Sequence, residues 1–235
     1  MVHIFSIEGN IGSGKSTLVK ILGKKIATLS NKSVIYVQEP VSEWENLKDI
    51  NGDTILQKFY ADPKKYAFSF QMMTYISRLT LLKKTIQENP ESIIITERSV
   101  FTDREVFAKM LYEENKIEEI NYQIYLKWFN EFIEDIPISG LIYVNTTPVK
   151  SKERVDSRAR TGENIPLEYL EKCHCYHSNW ICNVTTPVYN FDGNCNFMDS
   201  ISTHTLIQIK RFITNTIQLK NTSIQDQYMY TKCTA

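Results

Sequence analysis

The feature that most constrains this chain is a glycine-rich segment that directly follows a short apolar run. Residues 9–17 read Gly-Asn-Ile-Gly-Ser-Gly-Lys-Ser-Thr and fill every fixed position of the pattern G-x-x-x-x-G-K-[ST]. The apolar run 2–7 is typical of a strand, and residues 18–29 favour a helix. In that setting the glycines allow backbone N–H groups and a helix N-terminus to face a phosphate chain. The segment therefore predicts binding of a nucleoside triphosphate.

Two side chains of this phosphate loop have expected chemical roles. Lys15 supplies a positive charge for the β- and γ-phosphates, and the Ser16 hydroxyl is a ligand for Mg²⁺. The alternative, a glycine-rich turn with an unrelated surface lysine, fits poorly because the strand and helix patterns are both in place. The predicted nucleotide-binding residues of the loop are Gly9, Asn10, Ile11, Gly12, Ser13, Gly14, Lys15, Ser16 and Thr17.

The charge balance and hydropathy exclude several partners. The 27 basic and 27 acidic side chains cancel, whereas a nucleic-acid-binding protein usually has a basic excess. We therefore expect no nucleic-acid partner. No apolar run reaches the length needed to cross a bilayer, so we expect no membrane partner. A strand is expected from residue 2, which leaves no room for a targeting segment.

The five cysteines are an odd number without the spacing of a disulfide framework. They favour reduced thiols and a cytoplasmic protein. The run Cys173-His174-Cys175-Tyr176-His177 contains metal-binding residue types. In a helix, however, Cys173 and His177 share a face and Cys175 points elsewhere. We therefore favour helix packing for this run and keep a structural zinc site as the alternative.

Short β-branched apolar runs alternate with longer helical patterns along the chain. Five strands are predicted, at 2–7, 34–37, 93–96, 141–144 and 188–191. Helices are predicted at 15–29, 53–60, 65–87, 103–112, 118–134, 148–155, 167–179 and 199–218. This alternation predicts an α/β fold of the P-loop NTPase type, with a five-stranded parallel sheet flanked by helices in three layers. We expect one domain over residues 1–219 and a polar, flexible tail at 220–235.

Charged residues follow the predicted strands at the edge where open α/β sheets bind ligands. Glu39 follows the second strand, and Glu97 and Arg98 follow the third. Glu39 is placed to take a proton from an acceptor hydroxyl, and Glu97 to hold Mg²⁺ as a Walker-B acid does. Arg98 is placed to clamp an acceptor oxygen or a phosphate. The alternatives are a solvated loop acid for Glu39 and a surface ion pair between Glu97 and Arg98.

A second basic cluster follows the fourth predicted strand. Arg154 and Arg158 are four residues apart and share a helical face, and Arg160 follows in a loop. Guanidinium groups near a phosphate loop are typical of a lid that closes over a triphosphate. We therefore predict a short arginine-rich lid at about residues 154–165. A solvated helix face is the alternative.

Beyond these positions, the sequence resembles the deoxynucleoside kinase family, in the branch of deoxycytidine and deoxyguanosine kinases. The resemblance covers residues 2–217 and rests on motifs that are more specific than a phosphate loop. The motifs are Glu39-Pro-Val-Ser-Glu-Trp44, Phe70-Gln71, Ser77-Arg78, Glu97-Arg-Ser-Val-Phe-Thr-Asp103-Arg104 and Ile165-Pro-Leu-Glu-Tyr-Leu-Glu171. The resemblance implies phosphorylation of the 5′-hydroxyl of a 2′-deoxyribonucleoside, with ATP and Mg²⁺. It also implies a homodimer formed through the helices after the second and third strands.

The resemblance also implies roles for single positions. Glu39 is then the general base for the 5′-hydroxyl, Arg98 lies beside that oxygen, and Glu97 belongs to the metal and phosphate site. Gln71 hydrogen-bonds the edge of the base. Trp44 and Phe107 form walls of the pocket, with Phe107 against the base, and Phe70 lies beside Gln71. Tyr60 and Glu163 hold the sugar 3′-hydroxyl. The implied ATP contacts are Arg154, Arg158 and Arg160 in the lid and Asp192 and Gly193 in an adenine loop. Core packing is the alternative for Phe107, Trp44 and Tyr60, and an amide on a helix surface is the alternative for Gln71.

Arg78 and Asp103 bear on the choice of base. The resemblance implies a charged pair at the base end of the pocket, as in the cytidine and purine kinases, where thymidine-accepting relatives carry small or apolar residues. It predicts deoxycytidine, deoxyadenosine or deoxyguanosine as substrate in preference to thymidine. A plain salt bridge between two helices is the alternative. Thr74 departs from the family pattern, since a smaller residue is common there.

Two other functions remain open on the same fold. A nucleoside monophosphate kinase of the thymidylate type would need basic residues that hold an acceptor phosphate. A non-catalytic structural relative would be expected to lose Lys15, Glu39 or the lid arginines, and all of these are present.

Overall fold

A twisted, mostly parallel sheet forms the centre of the computed structural model, which describes residues 2–133, 136, 138–158, 165–197 and 200–233, with side chains as far as Thr222. Within these residues the sheet has six strands in the order β2-β3-β4-β1-β5-β6. The strands are β1 His3–Glu8, β2 Thr28–Leu29, β3 Lys32–Val37, β4 Ile93–Glu97, β5 Ile138–Asn145 and β6 Val188–Asp192. All neighbouring pairs are parallel except β2 and β3.

The α/β architecture is confirmed, but the predicted count of five strands is one too low. The prediction missed β2, which is only two residues long and pairs antiparallel with β3. Between them the chain reverses at Ser30 and Asn31, whose φ angles are +52° and +61°. A strand this short leaves no periodic signal in the sequence. For the same reason the helix predicted at 15–29 was too long, and it ends at Lys25.

Helices cover both faces of the sheet. The helices are α1 Lys15–Lys25, α2 Val41–Asn46, α3 Ile55–Ala61, α4 Pro63–Glu88, α5 Val100–Thr102, α6 Lys109–Glu113, α7 Glu119–Ile133, α8 Pro148–Arg158, α9 Leu167–Asn183 and α10 Thr203–Cys233. A π-helical segment, Asp103–Ala108, joins α5 to α6. None of these helices, taken over the described residues, is both long and apolar enough to pass through a membrane.

The last helix runs further than predicted. We expected it to stop at residue 218 and to give way to an aperiodic tail, but α10 continues to Cys233. Its sequence contains no Gly or Pro, so nothing in the backbone chemistry ends the helix earlier. Helix α3 begins at Ile55, two residues after the predicted start, because Thr54 and Gln57 form a capping box that makes Thr54 the N-cap.

Two apolar layers hold the helices against the sheet. In β1, Ile4 and Phe5 point to opposite faces and join different clusters. The cluster on one face joins the sheet to α1 and α10 and includes Phe5, Leu18, Leu22, Ile95, Ile209 and Ile213. The cluster on the other face joins it to α4 and α7 and includes Ile4, Leu82, Ile94, Tyr125 and Phe129. Strands β1 and β4 are buried on both faces, which explains the apolar run of β4, while β1 also buries the polar side chains of His3, Ser6 and Glu8.

The buried centre of β4 gives a test of this packing. Ile94 is fully buried, whereas Ile207 on α10 is half exposed. We expect Ile94→Ala to lower the free energy of unfolding by about 2–5 kcal/mol, because it removes buried methyl groups and leaves a cavity. Ile207→Ala is the matched control and should change it by less than about 0.5 kcal/mol. Urea denaturation of both variants measures the difference. Equal effects would contradict the described core.

Candidate active site

The phosphate loop lies between β1 and α1, and its shape requires glycine at two positions. Gly12 and Gly14 have φ angles of +76° and +104°. A Cβ atom on Gly12 would lie 2.4 Å from the carbonyl oxygen of Ser151, and one on Gly14 would lie 2.5 Å from the ring of Phe197. The loop therefore lies directly against α8 and the segment after β6. Its N–H groups and the N-terminus of α1 form an anion-binding concavity.

Lys15 is buried at the base of this loop. Its Nζ donates a hydrogen bond to the carbonyl oxygen of Asn10 at 2.7 Å. Burial, followed by the nearby Arg98 guanidinium, lowers the pKa of Lys15 to about 7. An anion bound in the loop would stabilise the charged ammonium.

A cavity of about 550 Å³ opens at the carboxyl edge of the sheet, in front of the loop. It brings together most of the residues that the sequence singled out. The predicted residues that line it are Ile11, Gly12, Gly14, Lys15, Ser16, Thr17, Glu39, Trp44, Tyr60, Phe70, Gln71, Arg78, Glu97, Arg98, Asp103, Phe107, Arg154 and Arg158. Arg160 and Glu163 lie outside the described residues.

Glu39 and Arg98 meet inside this cavity. Arg98 Nη1 donates to Glu39 Oε1 at 2.8 Å and to Oε2 at 3.0 Å. Arg98 has a φ of +60°, and its backbone N–H bonds the carbonyl oxygen of Ile7. This turn after β4 carries the guanidinium toward Glu39, which follows the neighbouring strand β3. Among the described residues, Arg98 Nε and Nη2 are buried and have no hydrogen-bond partner, so three N–H protons on these two nitrogens remain for an oxygen ligand.

Arg78, on α4, contacts the same carboxylate. Its Nη2 lies 2.8 Å from Glu39 Oε1, and its Nε lies 2.9 Å from Asp103 Oδ2. Burial by itself would raise the pKa of Glu39, but the Arg98 and Arg78 guanidiniums outweigh burial and hold that pKa well below its usual range. Burial raises the pKa of Asp103 despite the Arg78 partner. Glu97 and Arg98 do not form the alternative surface pair, because both are buried and Arg98 pairs with Glu39.

Ser16 and Glu97 offer oxygen ligands beside the phosphate loop. The Ser16 hydroxyl donates to Glu97 Oε1 at 2.5 Å, so the two oxygens lie next to each other on the cavity wall. Hard oxygen donors of this kind suit Mg²⁺, which is usually bound by one or two protein oxygens together with phosphates and waters. Within the described part of the chain, no group of three or more His, Cys, Asp or Glu side chains could hold a metal. The pair therefore fits an ion that is shared with phosphate groups.

The far end of the cavity is aromatic. Phe70 stacks on Phe59 with ring centroids 4.8 Å apart, and Trp44 meets Phe70 edge-on at 5.7 Å. The Trp44 indole N–H donates to Ser77 Oγ at 2.9 Å, which fixes the orientation of the ring. Gln71 is buried in this region, and its Oε1 has no hydrogen-bond partner among the described residues. These groups can sandwich a flat ring and read its edge.

Phe107 closes the cavity from the π-helical segment. Its ring lies 5.2 Å from the Arg98 guanidinium carbon, a cation–π contact. The same segment carries Asp103, and both side chains line the cavity. The sequence pattern predicted a helix here but did not predict the π turn. π turns are frequent at functional sites.

The predicted lid helix α8 is tied to the phosphate loop by Arg154. Its Nη1 donates to the carbonyl oxygen of Ser13 at 2.9 Å and its Nη2 to that of Cys195 at 3.3 Å. Asp192 ends β6 and Gly193 follows it, and both lie outside the cavity lining. The N–H of Gly193 bonds the carbonyl oxygen of Asn145, and a Cβ atom there would lie 1.9 Å from Thr146 Oγ1.

One carboxylate that the sequence analysis missed supports the turn of Arg98. Glu8, at the end of β1, is fully buried and accepts hydrogen bonds from Ser6 Oγ at 2.6 Å, Ser99 Oγ at 2.7 Å and Thr102 Oγ1. Ser99 and Thr102 lie one and four residues after Arg98, so Glu8 links the segment after β4 to the end of β1. An acidic residue between an apolar strand and a glycine loop was the available signal. Phe59, Thr74 and Tyr169 also line the cavity and were not predicted as site residues.

Comparisons with known proteins agree with this geometry. The sequence model of the deoxynucleoside kinase family matches residues 5–232. Mitochondrial deoxyguanosine kinase of Xenopus laevis is 34% identical over 206 residues, which cover 80% of this chain and 76% of that protein. Deoxycytidine kinase of Bos taurus is 34% identical over 83% of this chain and 85% of its own length. Deoxycytidine kinase 2 of Gallus gallus is 35% identical over 89% and 90%. The chain therefore belongs to the deoxynucleoside kinase family and is an enzyme that phosphorylates deoxynucleosides.

Proposed function

We propose that this enzyme transfers the γ-phosphoryl group of ATP to the 5′-hydroxyl of a 2′-deoxyribonucleoside, and that it serves nucleotide salvage. The observation that carries the proposal is the convergence of Glu39 and Arg98, at 2.8 and 3.0 Å, in the cavity that Lys15 also lines. A carboxylate and a guanidinium facing a phosphate loop are the groups that transfer to a hydroxyl requires.

In the proposed reaction, Glu39 receives the proton of the 5′-hydroxyl. The bond between that oxygen and the γ-phosphorus forms as the bond to the β-γ bridging oxygen breaks, and ADP leaves. The free N–H groups of Arg98 stabilise the charge on the transferring group and on the attacking oxygen. Lys15 and the loop N–H groups hold the β- and γ-phosphates.

Ser16 and Glu97 would hold Mg²⁺ in this reaction. When bound, the ion neutralises charge on the β- and γ-phosphates. Arg154 and Arg158 extend from α8 toward the same phosphates, and Arg160 completes the proposed lid. Asp192 and Gly193 contact the adenine in this proposal, because the loop that follows them is bonded to Arg154.

The deoxynucleoside occupies the aromatic end of the cavity. Phe107 and Trp44 flank the base in this assignment, Phe70 lies beside Gln71, and the amide of Gln71 reads the edge of the base. Tyr60 and Glu163 hold the sugar 3′-hydroxyl.

A panel of nucleosides tests the base assignment. Arg78 and Asp103 place a charged pair on the cavity wall that we assign to the base, where a thymine methyl would be buried against charged groups. We expect deoxycytidine, deoxyadenosine or deoxyguanosine to have a kcat/KM at least about tenfold above that of thymidine. Radiolabelled ATP transfer to the four deoxynucleosides measures this, with dTMP included to detect a monophosphate kinase. Thymidine or dTMP as the best acceptor would refute the assignment.

Replacing the proposed general base gives a second test. Glu39→Gln keeps the size of the side chain but removes the proton acceptor, so we expect kcat to fall by at least about 100-fold. ATP affinity, measured by calorimetry, should change little because Glu39 does not belong to the phosphate loop. Glu43→Gln is the matched control, since Glu43 is an exposed acid on α2 near the site. An unchanged kcat in Glu39→Gln would remove Glu39 from its role.

The proposed homodimer uses an exposed apolar stripe on α4 and α7. Ile120, Ile124 and Trp128 repeat every four residues on α7 and are 60%, 41% and 48% exposed. Ile76 on α4 is 47% exposed, and its neighbour Tyr75 donates to the carbonyl oxygen of Trp128. The stripe therefore spans both helices. An apolar surface of this kind suits a self-complementary contact with a second copy.

A charge in this stripe should separate the copies. We expect the wild-type protein to sediment at twice its chain mass of 27.4 kDa, and Trp128→Glu to sediment as a monomer, because an unpaired carboxylate would be buried in the interface. Ile207→Glu, on the half-exposed face of α10, should leave the mass unchanged. A monomeric wild-type protein at micromolar concentration, or a dimeric Trp128→Glu variant, would exclude this interface.

We place the enzyme in the cytoplasm. Cys173, Cys175, Cys182 and Cys195 carry free thiols, and three of them are exposed. Exposed free thiols persist in reducing compartments, which supports this placement.

A further inference from the structure

Arg78 holds two parts of the active site at once. Its guanidinium donates through Nε to Asp103 Oδ2 at 2.9 Å, through Nη1 to the carbonyl oxygen of Glu97 at 3.1 Å, and through Nη2 to Glu39 Oε1 at 2.8 Å and Asp103 Oδ1 at 3.3 Å. These four contacts, all within the described residues, use four of the five N–H protons of an arginine. The remaining proton is on Nη1, so a new acceptor that approaches Nε or Nη2 competes with a partner that is already there.

The same side chain lies where a base would be read. Gln71, Thr74 and Arg78 follow one another at helical spacing on α4, and all three line the cavity. Gln71 Oε1 is buried without a hydrogen-bond partner among the described residues. A flat ring held between the aromatic walls therefore presents its edge along this face of α4, within the reach of Arg78.

Of the partners of Arg78, Glu39 is the one most easily given up. Asp103 is almost fully buried, and the carbonyl oxygen of Glu97 is fixed at the end of β4. The side chain of Glu39 is 13% exposed and lies in the loop after β3. It also keeps Arg98, which bonds both of its oxygens. If Glu39 loses Arg78, it is still paired with Arg98. If Asp103 lost Arg78, it would be buried without a cation.

We propose that Arg78 couples recognition of the base to the freeing of the catalytic carboxylate, an inference that rests on the proposed function. A base that presents an acceptor atom to Arg78 takes the Nη2 proton that Glu39 holds in the free protein. Glu39 Oε1 then has a lone pair available for the 5′-hydroxyl. A base without an acceptor leaves the hydrogen bond from Arg78 to Glu39 intact. Such a nucleoside should therefore have a lower kcat as well as a weaker affinity. Arg78 is thus a positioning residue for Glu39.

A binding cycle tests the coupling without catalysis. The probes are 2′,5′-dideoxycytidine, 2′,5′-dideoxyadenosine and 2′,5′-dideoxyguanosine, which lack the hydroxyl that Glu39 would contact. We expect Glu39→Gln to bind the best of these about tenfold more tightly than wild type, because a neutral amide competes less well for Arg78. In an Arg78→Met background, Glu39→Gln should have no effect. Glu43→Gln is the matched control and should bind as wild type does. Equal affinities for wild type and Glu39→Gln, or an effect that persists without Arg78, would overturn the proposal.

Turnover provides a second readout that a purely structural arginine would not change. The probe is 1-phenyl-1,2-dideoxyribose, which keeps the flat ring and the 5′-hydroxyl but has no acceptor on the ring. We expect its kcat in wild type to lie at least about tenfold below that of the best deoxynucleoside, and this ratio to approach one in Arg78→Met. If Arg78→Met does not fold, Arg78→Lys serves instead, because a single ammonium cannot bridge Asp103 and Glu39 in the same way. An unchanged kcat ratio in the folded variant would contradict the coupling.

The two proposals fail in different ways. If wild type phosphorylates none of the deoxynucleosides, the proposed function is wrong, whatever the binding cycle shows. The other outcome is that wild type is active while Glu39→Gln changes affinity equally with and without Arg78, and while the kcat ratio of the two substrates is the same in wild type and Arg78→Met. In that case only the coupling by Arg78 is wrong.

Discussion

The buried contact of Glu39 with two guanidinium groups is the constraint around which the carboxyl edge of the sheet is built. A carboxylate removed from water must be paired, and deleting one partner of such a pair typically costs about 3–5 kcal/mol. The partners come from separate elements, since Glu39 follows β3, Arg78 belongs to α4 and Arg98 follows β4. Asp103, from the π-helical segment, balances Arg78 from the other side. Four parts of the chain must therefore meet at one point, and that point is the cavity.

The backbone around this cluster is held by a second buried carboxylate. Glu8 is bonded by three hydroxyl groups, and two of them belong to the residues that follow Arg98. A positive φ is unfavourable for arginine, so the turn persists only where its surroundings fix it. Glu8 also precedes the phosphate loop directly. The loop that receives the phosphates and the turn that carries Arg98 are thus attached to the end of the same strand, which fixes their separation.

The sequence predicted the elements of this site better than their contacts. Apolar β-branched runs revealed the central strands β4 and β5, which are largely buried on both faces, whereas β2 has only two residues and leaves no pattern. The charges of Glu39, Arg78 and Arg98 were visible, and so was the edge of the sheet at which they lie. The contact between Arg78 and Glu39 was not predictable, because the residues are 39 positions apart and charge complementarity allows several pairings. The π turn was hidden for a related reason, since a regular helix shares the same apolar spacing over so few residues.

Glu39, which we propose as the general base, is held by two cations and is weakly basic, because both guanidiniums favour its charged form. The contacts that stabilise the free protein therefore oppose the chemistry, and substrate binding must relieve part of them. Interactions with a remote part of a substrate accelerate a reaction only when they act on the reacting centre. In the reaction we propose, the remote part is the base and the reacting centre is the 5′-oxygen, and α4 lines the cavity that holds both. Arg78 is the side chain of α4 that contacts Glu39. In our proposal, α4 thereby couples the contacts of the base to the carboxylate that accepts the proton.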